Sequence, residues 1–425
     1  MLTEQTGVER LASLISILDL ARATGVTTRL ELTRSSGLSR RIVAQRVSAL
    51  VDAGLLVEGA LGASTGGRMP REVRFRGDAG HVLAAHLGAT GLSAAVSDVS
   101  GRLLASRSEP NDITAGPERA LARVEQLFDE LLEQTHGGPG DLWGVGIGLP
   151  GPIEFATGRP VSPPIMPGWD RYPVRERFVD RYDAATWVDN DVNLMALGEM
   201  RAGCAVAEKD MVFLKIGTGI GAGLVSGGRL HRGAQGVAGD IGHVATVAES
   251  SIVCRCGNTG CLEALAGGAA LARDATAAAR SGASDALARR LADSGELTAQ
   301  DVADAAVHGD PVGVELLSST GRYVGQALAT LINCFNPSLV VLGGRVTESG
   351  EHLLPALRSA VYARSLPLAT RDLRITTSQL GAAGGLIGAA FMVVDELLSE
   401  ALLPRWLDAG SPAGQPQLAL PRATA

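Results

Sequence analysis

The chain has 425 residues, 46% of them hydrophobic and 20% charged, with a formal net charge of −7. That is an ordinary globular balance, with room for two or three domains that each bury a core. No apolar run reaches the roughly 18 residues of a membrane span, and Met1–Arg10 carries acids rather than the basic lead of a signal peptide, so we expect a cytoplasmic protein. The charge is uneven: residues 1–80 hold 11 Arg against 8 Asp and Glu, about +3, leaving about −10 for the rest. A mildly basic head on an acidic body suits a small nucleic-acid reader joined to a different kind of domain.

In the head, Leu11, Leu14, Ile15 and Leu18 recur at helical spacing and predict a first helix. A short helix follows at about Arg29–Ser35, and Gly37 can close it in the left-handed conformation. Ser39 is a natural N-cap for a third helix. There Val43, Val47, Leu50 and Val51 form an apolar stripe, while Arg41, Gln45 and Ser48, flanked by Arg40 and Arg46, fall opposite. Such a face suits a major groove, where Arg reads guanine and Gln reads adenine. Leu55-Leu56-Val57 and Val73-Arg74-Phe75 read as a hairpin around the turn Gly59–Pro70, with Arg68 near the tip of this wing. We therefore expect a winged helix-turn-helix over residues 1–78 that binds double-stranded DNA. A single head covers half of a typical operator, so a homodimer is expected.

From His81 the texture changes to short apolar strands ending in polar or glycine turns. Strands are expected at about 82–87, 92–99, 103–104, 143–148, 185–188, 211–216, 221–225 and 339–342, and a long helix at Pro117–Gln134. Asp189-Asn190-Asp191 ends one strand ahead of a helix near Asn193, and Gly217-Thr218-Gly219-Ile220 links two others. Residues 266–335 are Ala-rich and helical, and a helix starts within Gly381–Ala390. This alternation predicts an α/β body over residues 79–402 with its site in a cleft. The tail after about Leu403, rich in Pro, Ala and Gln, is expected to be disordered. Cys204 and Cys334 stand alone and are expected to be inert core residues.

Three of the five cysteines crowd together as Cys254-x-Cys256-x4-Cys261, with His243 eleven positions upstream. Three thiolates and an imidazole make a closed four-ligand zinc site of structural character.

The glycine loop Gly217–Gly223, then Gly239-Asp240-Ile241-Gly242-His243, then the Cys-x-Cys-Gly-x-x-Gly-Cys-x-Glu run ending at Glu263, resemble the ROK family of bacterial sugar kinases and repressors from about residue 80 to 400. The resemblance implies the actin-like, ribonuclease H-like sugar-kinase fold of two α/β lobes around a cleft. It places Gly151, Asn190, Asp191, Asp240, His243 and Glu263 on the sugar side, with Asp240 where the family usually has Glu. In kinases of the family the residue matching Asp191 is the general base. The phosphate side departs from the pattern: the usual Asp-x-Gly-Gly-Thr-Lys reads His86-Leu87-Gly88-Ala89-Thr90-Gly91. Lost charge and lost positioning are severe for phosphoryl transfer, so kinase activity is not expected. Members with an added winged helix are typically transcriptional regulators. The expectation is a repressor whose DNA affinity responds to a sugar or sugar derivative. The alternatives are an active ATP-dependent sugar kinase that binds DNA, and a repressor controlled by a protein partner.

Overall fold

A computed structural model describes residues 2–61, 71–135, 141–247 and 250–419. The head runs α1 (Leu2–Thr24), β1 (Val26–Thr28), α2 (Arg29–Ser36), α3 (Arg40–Asp52), β2 (Leu56–Leu61) and β3 (Arg71–Phe75). The punctuation foreseen from sequence is in place: Gly37 closes α2 at φ 68, and the Ser39 hydroxyl accepts from the Ile42 amide at the start of α3. Leu14, Ile17, Leu18, Leu32, Val43, Val47 and Leu50 are buried together, so the three helices share one core. β1 was not expected, because three residues show no period. It pairs antiparallel with β3, giving the order β1-β3-β2. Arg68 lies outside the described residues.

The first body lobe contains β4 (His81–Leu87), β5 (Gly91–Asp98), β6 (Leu103–Pro110), α4 (Pro117–Thr135), β7 (Leu142–Leu149), β8 (Ile153–Glu154), β9 (Arg159–Pro160), α5 (Val174–Tyr182), β10 (Thr186–Asn190) and α6 (Asp191–Ala202). Its five-stranded sheet has the order β6-β5-β4-β7-β10, with β4, β7 and β10 parallel. The second lobe contains β11 (Met211–Ile216), β12 (Ile220–Ser226), β13 (Arg229–His231), α7 (Leu262–Ala266), α8 (Gly268–Arg280), α9 (Asp285–Ser294), α10 (Ala299–Val307), α11 (Pro311–Phe335), β14 (Leu339–Gly343), α12 (Gly350–Arg364), α13 (Pro367–Thr370) and β15 (Arg374–Thr377), after which α14 (Gly384–Leu397) and α15 (Leu403–Trp406) return to the first lobe. Its sheet order is β13-β12-β11-β14-β15, the same arrangement as in the first lobe, again with three parallel strands. The two lobes therefore repeat one topology, although no repeat of fixed period is visible along the sequence. The architecture is α/β, as expected.

α14 is the spine of the first lobe. β7 carries Gly144, Gly146 and Gly148 at alternate positions, so they share one face of the sheet. A Cβ on Gly146 would overlap the Ala389 carbonyl, and one on Gly144 would press on Val393. The missing side chains let α14 lie directly on the strand. α6 crosses α14 equally closely: a Cβ on Gly388 would overlap the Leu194 carbonyl, and one on Gly198 the Gly384 carbonyl.

Two expectations are corrected here. Residues 403–419 are ordered: Leu403 and Trp406 are buried, and Trp406 meets Trp143 edge-on at 5.3 Å while donating its indole N–H to the Leu397 carbonyl. Composition pointed to disorder, but a few apolar anchors fix the segment. Cys334 is exposed at the end of α11 rather than buried, while Cys204 is half-buried beside Glu199. Among the described residues no helix is long and apolar enough to cross a membrane.

Candidate functional site

A cleft of about 300 Å³ opens between the lobes. Gly151, Asn190, Asp191, Asp240, His243 and Glu263, scattered over more than a hundred positions, all line it. The turn at the end of β10 supplies the first part. Asn190 is the N-cap of α6, its Oδ1 accepting from the Val192 and Asn193 amides, while its Nδ2 donates to the Gly151 carbonyl at 2.9 Å. Capping and site building are thus one arrangement: Asn190 ties the Pro150-Gly151 turn to the helix start. It also moves that start to Asp191, two residues before the expected Asn193. Beneath it, the buried Asp189 carboxylate accepts from the Asn190 amide, the Asn193 side chain and Arg232, whose guanidinium stacks 3.8 Å over Phe155.

Asp191 is nearly buried and forms an ion pair with Lys215 of β11. Sequence reasoning missed Lys215. The signal was present, since Lys215 is one of only two lysines in the chain and interrupts an otherwise apolar strand. On the far side of the pair stands His86, whose Nε2 is buried with no hydrogen-bond partner and whose ring fills the space a side chain on Gly385 would take. Burial pushes this imidazole down to about 4, and the Lys215 charge adds to the shift while Asp191 opposes it. His86 is accordingly neutral at pH 7. Ala89 and Gly91 line the same side of the cleft, and Arg345 contributes a second cation.

Glu263 enters from α7. Its carboxylate accepts from the Ile220 amide and occupies the space above Gly219, where a Cβ would overlap it. Asp240 and His243 share a 3-10 turn, with His243 Nε2 4.0 Å from Asp240 Oδ1. Partial desolvation against the cleft wall raises the Asp240 carboxyl above its usual range, with His243 opposing, although the side chain stays open to the cleft. The other ring nitrogen, Nδ1, lies 3.5 Å from Cys254 Sγ, and Cys256 and Cys261 Sγ are 3.7 Å apart. The ligand atoms of all four residues lie within 4.8 Å of one another, a group that can hold a metal ion. His243 thereby belongs to both the cleft and this cluster.

On the head, Ser39, Arg40, Arg41, Gln45 and Ser48 are exposed along one side of α3. Arg46 is not on that face. It is half-buried and donates Nε to the Ser13 hydroxyl at 2.7 Å, joining α3 to α1. Helical spacing alone did not reveal that α1 passes there.

Comparison with known proteins matches residues 82–396 to the model of the ROK family. The chain belongs to the ROK family. A glucokinase of Halalkalibacterium halodurans is 32% identical over 72% of this chain and 93% of that protein. The xylose repressor of Caldicellulosiruptor bescii is 30% identical over 84% of this chain and 89% of that protein. The crystal structure of a ROK family transcriptional regulator, described as a homolog of the E. coli MLC protein, superposes with TM-score 0.78 at 26% identity over 94% of this chain and 99% of that one. The body is thus the ROK sugar-kinase fold. The regulator likeness extends well beyond the ROK segment, whereas the glucokinase likeness is about the length of that segment.

Proposed function

We propose that this ROK protein is a sugar-responsive transcriptional repressor: the head binds double-stranded operator DNA as a winged helix-turn-helix, and a sugar or sugar derivative in the cleft sets its affinity. The observation that carries the reading is the extent of the likeness, since a solved ROK regulator matches 94% of this chain, head included. The chemistry agrees with it. Arg40, Arg41 and Gln45 offer groove-reading groups from an exposed helix face. Asp240, His243 and Glu263 offer the carboxylate and imidazole groups that bind rings of hydroxyls. Gly151, Asn190 and Asp191 complete the hydroxyl side, and Arg40 and Arg41 also serve the phosphates.

We assign the His243, Cys254, Cys256 and Cys261 cluster to structural zinc. With Zn–S near 2.3 Å and Zn–N near 2.0–2.1 Å, a tetrahedron has S–S edges of about 3.8 Å and N–S edges of about 3.5 Å. The corresponding separations here are 3.7 and 3.5 Å. Such an ion would hold the imidazole by Nδ1 and leave Nε2 toward Asp240 and the cleft.

Kinase activity is the second reading, favoured by Asp191 and the glucokinase relatives. Against it stand the Lys215–Asp191 pair, which occupies the carboxylate a base would need free, and neutral His86 with Ala89 and Gly91 on the phosphate side. A homodimer presenting two heads to a two-fold operator fits the proposal.

The deciding experiment is binding of the purified protein to DNA from upstream of its own gene, at fixed salt, while glucose, xylose and N-acetylglucosamine are titrated alone and as phosphates. A sugar-dependent change in affinity supports the proposal. DNA binding that ignores every compound sinks sugar control in favour of a protein partner. ADP release with any of these sugars restores the kinase.

A further inference from the structure

The proposed function requires that occupancy of the cleft be felt at the head, and two helices connect them. α6 and α14 both begin at the cleft: Asn190 and Asp191 line it at the start of α6, and His86, which lines it too, rests on Gly385 in the first turn of α14. Both end at the head. Asp395, in the last turn of α14, accepts from Arg22 of α1 at 2.9 Å through Oδ1 and from Arg201, in the last turn of α6, through Oδ2. Asp19 of α1 lies 3.6 Å from Arg22 and completes a balanced cluster of two acids and two arginines.

We propose that Asp395, held between Arg22 and Arg201, is the positioning residue through which the α6–α14 pair transmits cleft closure to the DNA-binding head. The idea rests on the sugar-regulated repressor reading and deepens it. α14 spans about 20 Å at 1.5 Å per residue, and it moves with α6 as one body because their backbones touch at Gly388–Leu194 and Gly198–Gly384. With no side chains between them to repack, a shift at Asn190 reaches Arg201 without being absorbed. At the far end the head is held to the pair by charge-assisted hydrogen bonds on one carboxylate. Arg22 is itself packed under the wing sheet, 5.9 Å from the centre of the Phe75 ring. A turn of the pair therefore reaches α1 and β3 together. Neither Arg22, Arg201 nor Asp395 faces the cleft or the exposed side of α3.

The test measures the ratio of DNA dissociation constants with and without saturating sugar, using whichever of glucose, xylose, N-acetylglucosamine or their phosphates shifts the full-length wild-type protein. For the wild type a ratio of about five-fold or more is expected. Asp395→Asn is expected to bring the ratio below about two-fold, with sugar affinity by calorimetry and sugar-free DNA affinity both retained. Arg201→Gln, which leaves the Arg22 contact intact, is expected to weaken the coupling in the same way, and Asp395→Glu to restore it. Such rescue separates transmission from a merely structural role. If both variants fold and keep the full wild-type ratio, the transmission route is wrong while the repressor reading stands. A wild type with no sugar-dependent change removes the reading and the route with it.

Discussion

Acid should unfold this protein partly through His86. Burial beside Lys215 lowers its imidazole from 6.5 to about 4, so between those pH values the unfolded chain binds a proton that the folded chain refuses. Stability from this group is therefore whole above about pH 6.5 and is lost as pH falls, by about 1.4 kcal/mol per unit until the folded value is reached. At pH 5 the loss is about 2 kcal/mol from His86 alone. Histidine-selective NMR on the folded protein reads the cause directly. One imidazole should stay neutral down to about pH 4, and its signal should vanish in His86→Gln. That variant should also lose less melting temperature than the wild type between pH 7 and 5. A ring that titrates near 6.5 and is assigned to His86 would refute the reasoning, because burial and the Lys215 charge would then not act as argued.

Three further outcomes follow from packing and ligation. Trp406→Ala should cost about 3–5 kcal/mol by stripping the cover from Trp143, visible as a lower melting temperature. An unchanged melting curve would show the 403–419 segment to be dispensable. Gly388→Ala drives a methyl into the Leu194 carbonyl, so a loss of about 1–3 kcal/mol or more is expected, and circular dichroism melts with wild-type values would contradict the close helix crossing. Cys256→Ser, or chelation of bound metal, should lower the melting temperature and promote aggregation rather than merely weaken sugar binding. A soluble, metal-free variant with normal melting would remove zinc from the structural role.

Features carried by neighbouring residues were legible in the chain itself. Ser39 and Gly37 announce the bounds of α3 and α2 because caps are local hydrogen bonds and local dihedrals. The Cys254–Cys261 run announces its own cluster, since eight residues of irregular chain keep their thiols close. The cleft residues were legible through the motifs that carry the ROK resemblance, which fall on strand ends, turns and, for Glu263, the first turn of α7. What tertiary structure alone decided are pairings between residues distant in sequence. Arg46 looked like part of the exposed face until α1 was seen to pass beside it. Lys215 and Asp191 are 24 positions apart and meet only because β11 and α6 face one cleft. The tail's order rests on one tryptophan finding another from β7, which composition averages away. The repeated sheet order belongs to the same class, because hydrogen-bonded strand neighbours leave no periodic trace when the connections differ in length. Arg22 and Asp395 are the limiting case: 373 residues separate them, and no local propensity brings them together, only the packing of α14 between the cleft and the head.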